Sequence, residues 1–393
     1  MVLWSVLHAF DILLWLFVAG SVFYVVFFSI IPIFFHNRHQ NANDINAVDG
    51  TLRRFLILFP AYHEDAVIVN SVTTFLCQDY PKEHYQITVI SDHMEETTNQ
   101  RLSELPITLL NPVFEKSSKA KAMQYAIQQT EKPFDNVVVM DADNIVRSDF
   151  LSRLNILCAQ YDAIQCHRCA KNANNDVAVL DGVSEEINNT IFRQAHNLVG
   201  LSSALIGSGM CFDYDLFRRN VFQLSTAGED RELEALLLCQ GVFIKYAAEI
   251  PVFDEKVSNH DNFQRQRMRW MTAQMQSLSR QLPKIPKAFL HGNINFIDKT
   301  IQQALIPRSI LLVFLSVMSL LTTITAPVHS IKWWGLLLLL GGSLFIAIPS
   351  ELRSRALIGK TVAIPGLVLR MLTNLLHMDK NNTDFIHTEH ITE

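Results

Sequence analysis

The chain has 393 residues, enough for one large domain with additions, and a formal net charge of −5, which argues against nucleic acid as a general partner. Its hydrophobic fraction of 49% is high for a soluble protein, and the apolar residues are bunched rather than spread. All six cysteines fall between Cys77 and Cys239, well away from the apolar ends.

In chain order, Ile12 to Phe35 comes first. It holds no charged residue and is long enough to cross a bilayer. No basic residue precedes it and no small-residue cleavage site is evident, so it reads as an anchor and not as a removable signal. We assign 1–35 to this transmembrane anchor and 36–50, polar and irregular, to a linker. Residues 51–260 alternate strand and helix signals. Phe55 to Phe59 is a short apolar run stopped by Pro60. Ala66 to Cys77 has helical spacing, and Gln86 to Ile90 reads as a strand running into Ser91-Asp92. Lys116 to Gln129 is helical, and Asn136 to Met140 is a buried strand ending at Asp141. Strands alternating with helices imply an α/β domain with a mostly parallel sheet, in which ligands bind at the carboxyl ends of the strands. Pro60, Asp92 and Asp141 all sit at such ends.

Residues 261–300 read as helices lying on the membrane surface, with Asn262 to Leu282 the clearest. Residues 301–350 hold two more apolar runs, Ser309 to Pro327 and Trp333 to Ser350, and 351–393 form an amphipathic segment and tail. Leu357 to His377, broken by Pro365-Gly366, is expected at the interface. Lys and Arg cluster on one side of the three runs: Arg38, Arg53 and Arg54, then Lys284, Lys287, Lys299 and Arg308, then Arg353, Arg355 and Lys360. Only Lys332 falls opposite. The positive-inside rule then puts the N-terminus outside and both the central domain and the C-terminus in the cytosol, where the cysteines stay reduced. Cys166 and Cys169 have zinc-like spacing, but no second pair accompanies them, and they read as ordinary thiols.

Several short motifs carry chemistry. Asp141-Ala142-Asp143 places two carboxylates at a strand end, where they can share a hard divalent cation, Mg²⁺ or Mn²⁺. A polar turn capping a strand would look the same. Gly228-Glu229-Asp230 opens a helix expected over Arg231 to Leu238. One carboxylate there can take a proton from a hydroxyl, although acidic residues suit any helix N-terminus. In Gln266-Arg267-Met268-Arg269-Trp270, an indole offers a face to a sugar ring and Arg269 a fork for phosphate oxygens. The same residues also suit an interfacial helix.

In this order, between bilayer-length apolar segments, these motifs resemble the membrane-embedded family 2 glycosyltransferases, which include cellulose, hyaluronan and chitin-oligosaccharide synthases and to which the ceramide glucosyltransferases are related. The resemblance runs from about Phe55 to Trp270 and implies a GT-A-like fold. It implies that Ala61 and Glu64 lie near uridine and ribose, that Asp92 binds uracil, and that Lys119 faces the diphosphate. It makes Asp141 and Asp143 the metal ligands, with Arg269 also on the diphosphate. Gly209 in the turn Gly207-Ser208-Gly209-Met210, Glu229, Gln266 and Trp270 would face the acceptor, and Asp230 would be the general base. The chain departs from the family at Ser117-Ser118, where a glycine pair is usual, and at Gly228, where threonine is usual. Phe385 to His390 faintly echoes a gating loop, with His390 in place of lysine.

The expectation is an inverting transfer from a UDP-sugar, with a β-linked product. The acceptor is a growing polysaccharide in the leading reading and a membrane lipid, glycosylated once, in the alternative. Three spans are few for a channel in one chain, which favours a lipid acceptor or a homo-oligomer. A nucleotide-sugar-gated transporter or sensor would call for charges inside the apolar runs, which hold none.

Overall fold

The computed structural model describes residues 2–35, 50–172, 176–226, 228–256 and 260–353. The gating-loop echo, the Leu357 to His377 segment and nearly all of the linker lie outside these residues. An eight-stranded mixed sheet carries the domain, in the order β3-β2-β1-β4-β7-β6-β8-β5. Its strands are β1 (Phe55–Tyr62), β2 (Tyr85–Asp92), β3 (Thr108–Leu110), β4 (Asn136–Val139), β5 (Ile145–Val146), β6 (Ala163–Ala170), β7 (Met210–Asp213) and β8 (Ile244–Asp254). The half built from β3, β2, β1 and β4 is parallel, as is the β6–β8 pairing. Strand β7 runs antiparallel to both β4 and β6, and β5 antiparallel to β8.

Both faces of the sheet are covered, so its central strands are apolar throughout. Along β1, Phe55, Ile57 and Phe59 pack into one buried cluster with Ile68, Phe75 and Phe150. Leu56 and Leu58 pack into the other with Met123, Phe212 and Leu237. The side-chain period of two divides the strand between two cores. Each large side chain so buried stabilises the fold by about 1.5–3 kcal/mol.

Pro60 does not stop β1, which continues to Tyr62. The pairing with β4 ends at Leu58↔Val139, while that with β2 runs on through Pro60↔Ile90 to Tyr62↔Asp92. Leu58 accepts from Met140 on the β4 side, so by alternation the N–H that proline lacks would face the gap that β4 has left. The strands therefore splay apart just where Ala61, Asp92 and Asp141 emerge.

Among the described residues, three helices are long and apolar enough to cross a membrane: Ala9–Phe34, within the helix Val2–Phe34, then Arg308–Thr325 and Pro327–Ala347. The last begins earlier than the apolar run that signals it, so Lys332 falls inside the helix. It pairs with Asp11, which also accepts from Trp333 Nε1 at 3.1 Å. Each charge answers the other, which lets both sit near helix ends in apolar surroundings. The first of these helices is also tied to the domain. Tyr24 Oη donates to Asp298 Oδ1 at 2.6 Å and lies 2.9 Å from His196 Nε2, while Phe28 stacks on the His196 ring at 3.7 Å. Between domain and spans lie the helices His260–Gln281, Ile285–Leu290 and Ile294–Ala304.

Candidate active site

A cavity of about 850 Å³ opens at the carboxyl ends of β1, β2 and β4 and runs toward the apolar helices. Ala61, Glu64, Asp92, Lys119, Asp141, Asp143, Glu229, Asp230 and Trp270 all line it. Residues far apart in the chain are thus brought to one space. The side chains of Gln266 and Arg269 lie outside the described residues; their backbone belongs to the helix His260–Gln281.

At one end, Asp92 closes β2 and is buried. His93 Nδ1 meets its Oδ1 at 2.6 Å, and the His63 amide donates to its carbonyl at 3.4 Å. Both histidines have left-handed backbones, with φ of 55° and 57°. Such residues are held against a cost of order 1–2 kcal/mol and cluster at functional sites. With Tyr62 they form a ring cluster, centroids 4.4–5.7 Å apart, that the sequence reading did not single out.

Next along the cavity, Asp141, Asp143 and Asp254 bring carboxylate oxygens within 4.8 Å of one another. An all-oxygen donor set of this kind fits a hard divalent cation. Asn144 orders the group: its Oδ1 accepts from the Asp141 amide at 2.9 Å, and its Nδ2 donates to Asp143 at 3.1 Å and Asp254 at 3.3 Å. Asp254 was not anticipated. It ends β8, whose register against β6 jumps from Cys166↔Ala247 to His167↔Pro251 and then carries Asp254 opposite Ala170. A bulge of this kind re-aims a strand end, and nothing in a lone Asp-Glu-Lys signals it. Cys166 and Cys169, three apart on β6, point to opposite faces: Cys166 is in the core, where burial pushes its thiol well up, and Cys169 is half-buried.

Basic groups answer these acids. Lys119 pairs with Asp141 and donates to the Gly207 carbonyl at 2.7 Å. Burial opposes its charge, but Asp141, Glu229 and Asp230 outweigh that and raise it above the ordinary lysine value. Asp141 is correspondingly lowered: burial alone would raise it, and Lys119 and Arg168 prevail. Where the family usually has glycines, Ser118 caps the Lys119–Gln128 helix, accepting from the Lys121 amide at 3.2 Å. Arg168 binds Glu185 at 3.0 Å, and Lys256 joins Glu185 to Asp254, the latter at 2.7 Å.

Glu229 and Asp230 begin the helix Glu229–Cys239. Burial, and then repulsion from Asp230, push the Glu229 carboxyl up to about 7. Gly228 explains the missing threonine. A Cβ there would come within 2.9 Å of the Ala273 Cβ, so this residue is where the Glu229–Cys239 helix approaches the helix carrying Trp270. Gly209 does not line the cavity, contrary to the acceptor role expected of it. Its φ is 59° and an added Cβ would meet Val252 Cγ2 at 2.9 Å, so its bareness serves packing against β8. Of the two glycines in this turn, Gly207, with φ of 86°, is the one that lines the cavity.

Residues 53–273, more than half of the chain, match the family described as glycosyltransferase-like family 2. The chain belongs to that family. No curated protein matches this glycosyltransferase in sequence. Among solved structures it is similar to a mannosyltransferase of Pyrobaculum calidifontis in complex with GDP-Man and Mn²⁺, at 15% identity and a TM-score of 0.50 over 84% of this chain and 97% of that one. It is also similar to residues 1–349 of S. aureus TarS, at 13% identity and 0.44 over 81% and 88%, and to a glucosyl-3-phosphoglycerate synthase of Mycobacterium tuberculosis, at 15% and 0.38 over 56% and 76%. The first likeness shows a shared GT-A-like fold.

Proposed function

We propose that this glycosyltransferase moves a sugar from a UDP-sugar to a lipid acceptor that enters from the membrane, in one inverting step. The cavity carries the reading. Besides Asp230 it is lined by Ile306 and Pro307 and by Val25, Leu312, Leu344 and Phe345, which between them belong to all three candidate spans. An acyl or prenyl chain suits such a wall; a polysaccharide, with hydroxyls along its length, does not. The growing polymer, the leading expectation from the sequence, becomes the second reading, kept because the Gln-Arg-x-Arg-Trp motif is complete in the sequence.

In this reading Asp92 accepts a hydrogen bond from the uracil ring, with Ala61 and Glu64 beside the ribose. Lys119 and Arg168 balance charge at the diphosphate, with Arg269 assigned there by its motif. Asp141, Asp143 and Asp254 hold Mg²⁺ or Mn²⁺, which when bound stabilises charge on the leaving diphosphate. The acceptor oxygen bonds to the anomeric carbon as the bond from that carbon to the diphosphate breaks. Asp230 takes the hydroxyl proton, and UDP leaves with the bonding pair. Protonated near neutrality, Glu229 can donate to the acceptor instead of repelling it. Trp270 lies against the acceptor sugar or headgroup, with Gln266 assigned there by its motif alone. The N-terminus lies outside and the catalytic domain in the cytosol, which reporter fusions at each end test directly.

The deciding experiment incubates the purified full-length protein, in native lipid, with a panel of radiolabelled UDP-sugars and separates organic-soluble from polymeric product. Label in the organic phase is expected. Label confined to polymer would install the polysaccharide reading.

A further inference from the structure

We propose that the lipid acceptor carries a phosphate, held by Arg193 and Arg308 where the cavity passes from catalytic domain to membrane spans; this rests on the lipid reading above. Arg193 lines the cavity and is 4% exposed. It comes from a π-helical turn, Thr190–Gln194, and such turns recur at functional sites because the wider turn re-aims a side chain. Its Nη1 donates to Asn189 Oδ1 at 2.7 Å, a neutral partner, and its buried Nε has no hydrogen-bond acceptor.

The carboxylates near Arg193 are already committed. Glu185 is engaged by Arg168 and Lys256, and Glu234 by Lys299. Burial accordingly wins over their attraction and lowers Arg193 below the ordinary arginine value. A buried guanidinium without its own anion is costly to keep, and its planar fork matches a phosphate.

Arg308 lines the same cavity. Its Nη2 donates to Asn188 Oδ1 at 2.7 Å and to the Ser184 carbonyl at 3.2 Å, so consecutive asparagines receive the two guanidiniums. Arg308 also begins the second span, at the level of a lipid headgroup. The cavity that these two arginines line is also lined by Glu229 and Asp230 and by apolar residues of the spans, Leu312 and Phe345. An amphiphile suits such a cavity if its phosphate separates an apolar tail from a free hydroxyl. The donor's own diphosphate is served elsewhere, by Lys119 and Arg168 beside Asp141.

Two kinds of lipid have that chemistry: a glycerophospholipid with a hydroxylated headgroup, and a sugar linked to a prenyl chain through diphosphate. The test gives the purified full-length protein a labelled UDP-sugar with phosphatidylglycerol, prenyl-diphosphate-N-acetylglucosamine, ceramide or diacylglycerol. We expect one phosphate-bearing lipid to exceed both neutral lipids by about tenfold or more in kcat/KM, since a charge-assisted contact is lost with the phosphate. Arg193→Gln should raise the KM of that acceptor about tenfold and leave the KM of the UDP-sugar within about twofold, with Arg193→Lys in between. Equal use of neutral lipids by the unmodified protein would overturn the proposal without relying on a variant that folds. So would a parallel rise in both KM values, which would assign Arg193 to the donor. Product with no lipid at all would remove the lipid reading itself, and this subsite with it.

Discussion

The proposed function divides the cavity into a donor end and an acceptor end, and the two are built differently. The end assigned to the donor is made of strand termini: Ala61 and Tyr62 from β1, Asp92 from β2, Asp141 just after β4, Asp254 from β8. Neighbouring strands in a sheet deliver their last residues to one edge, so each group needs only a correct strand boundary. The acceptor end is made of helix faces from five segments, around Val25, Glu185 to Arg193, Lys299 to Arg308, Leu312 and Leu344 to Ile348. Nothing local sets these faces against each other. They are fixed by buried polar ties such as Tyr24–Asp298, Arg308–Asn188 and Lys299–Glu234. The lesson is that one end of a site can be modular in sequence while the other is wholly tertiary. Substitutions at the two ends should therefore fail in different ways.

The largest effect is expected where the ends meet. Asp230, the proposed base, lines the cavity together with the strand-end carboxylates and the apolar residues of the spans. Asp230→Asn should reduce transfer by about 10²–10⁴, the usual worth of a positioned general base, while UDP-sugar affinity measured by calorimetry stays near normal. Turnover within a few-fold of the unmodified enzyme would take Asp230 out of the mechanism. A matching loss of UDP-sugar affinity would place it in the donor end instead.

A break on the acceptor side should act through stability. Lys299 and Glu234 pair with almost no exposure, and burial draws Lys299 down and Glu234 up, both toward neutrality. Lys299→Met leaves a buried carboxylate alone and should cost about 3–5 kcal/mol, read as a lower thermal midpoint. The double variant with Glu234→Leu should recover most of it. Below its midpoint, Lys299→Met should still bind UDP-sugar. Loss of donor binding in the folded variant would show that the two ends are one cooperative unit.

The same contrast explains what could be read from the chain. That Asp92, Asp141, Asp143 and Asp230 would line one cavity was legible because strand-end carboxylates and a helix-opening acidic pair carry local signals. Asp254 was not, because a register jump in β8 brings it in, and a bulge at Pro251 leaves no motif. Gly209 was misread because a glycine turn looks the same whether it faces a ligand or Val252. Pro60 was read as a strand stop because the feature that makes it harmless, the early end of the β4 pairing at Leu58↔Val139, depends on a strand far along the chain. Arg193 lay in a stretch with no motif, and its meaning depends on which carboxylates its neighbours have already taken. The α/β class was visible as alternating strand and helix signals and the three apolar helices as long uncharged runs, and the GT-A-like fold followed from the resemblance; the helix-built end of the cavity was not visible.

Glu229 offers a finer measure of charge at the junction. In the fold its carboxyl titrates at about 7, against an ordinary value of 4.5, so the folded state keeps the proton longer than the unfolded one. Stability must then fall as pH rises from about 4.5 to 7, and the loss is complete above that window. Glu229→Gln abolishes this titration. Measured in chelator, so that no cation alters the field, the variant should melt with the unmodified protein near pH 4.5. Above pH 7 it should be more stable by on the order of 1–3 kcal/mol. A stability difference independent of pH would mean that Glu229 is solvated.

The smallest expected effect tests how closely the two helices at the junction are fitted. A Cβ on residue 228 would lie 2.9 Å from the Cβ of Ala273, a separation that real side chains do not keep. Gly228→Ala must therefore move the start of the Glu229–Cys239 helix or the helix bearing Trp270. Overpacking of this size costs about 1–3 kcal/mol. The shift would carry Asp230 and Trp270 apart, so transfer should fall further than stability alone explains, with UDP-sugar affinity kept. Ala273→Gly removes the opposing Cβ, and the double variant should regain transfer, apart from the helix cost of a second glycine of about 1 kcal/mol. Two losses that simply add would show that residue 228 acts through its own backbone. The contact between the helices would then have no part in aligning the base with the acceptor.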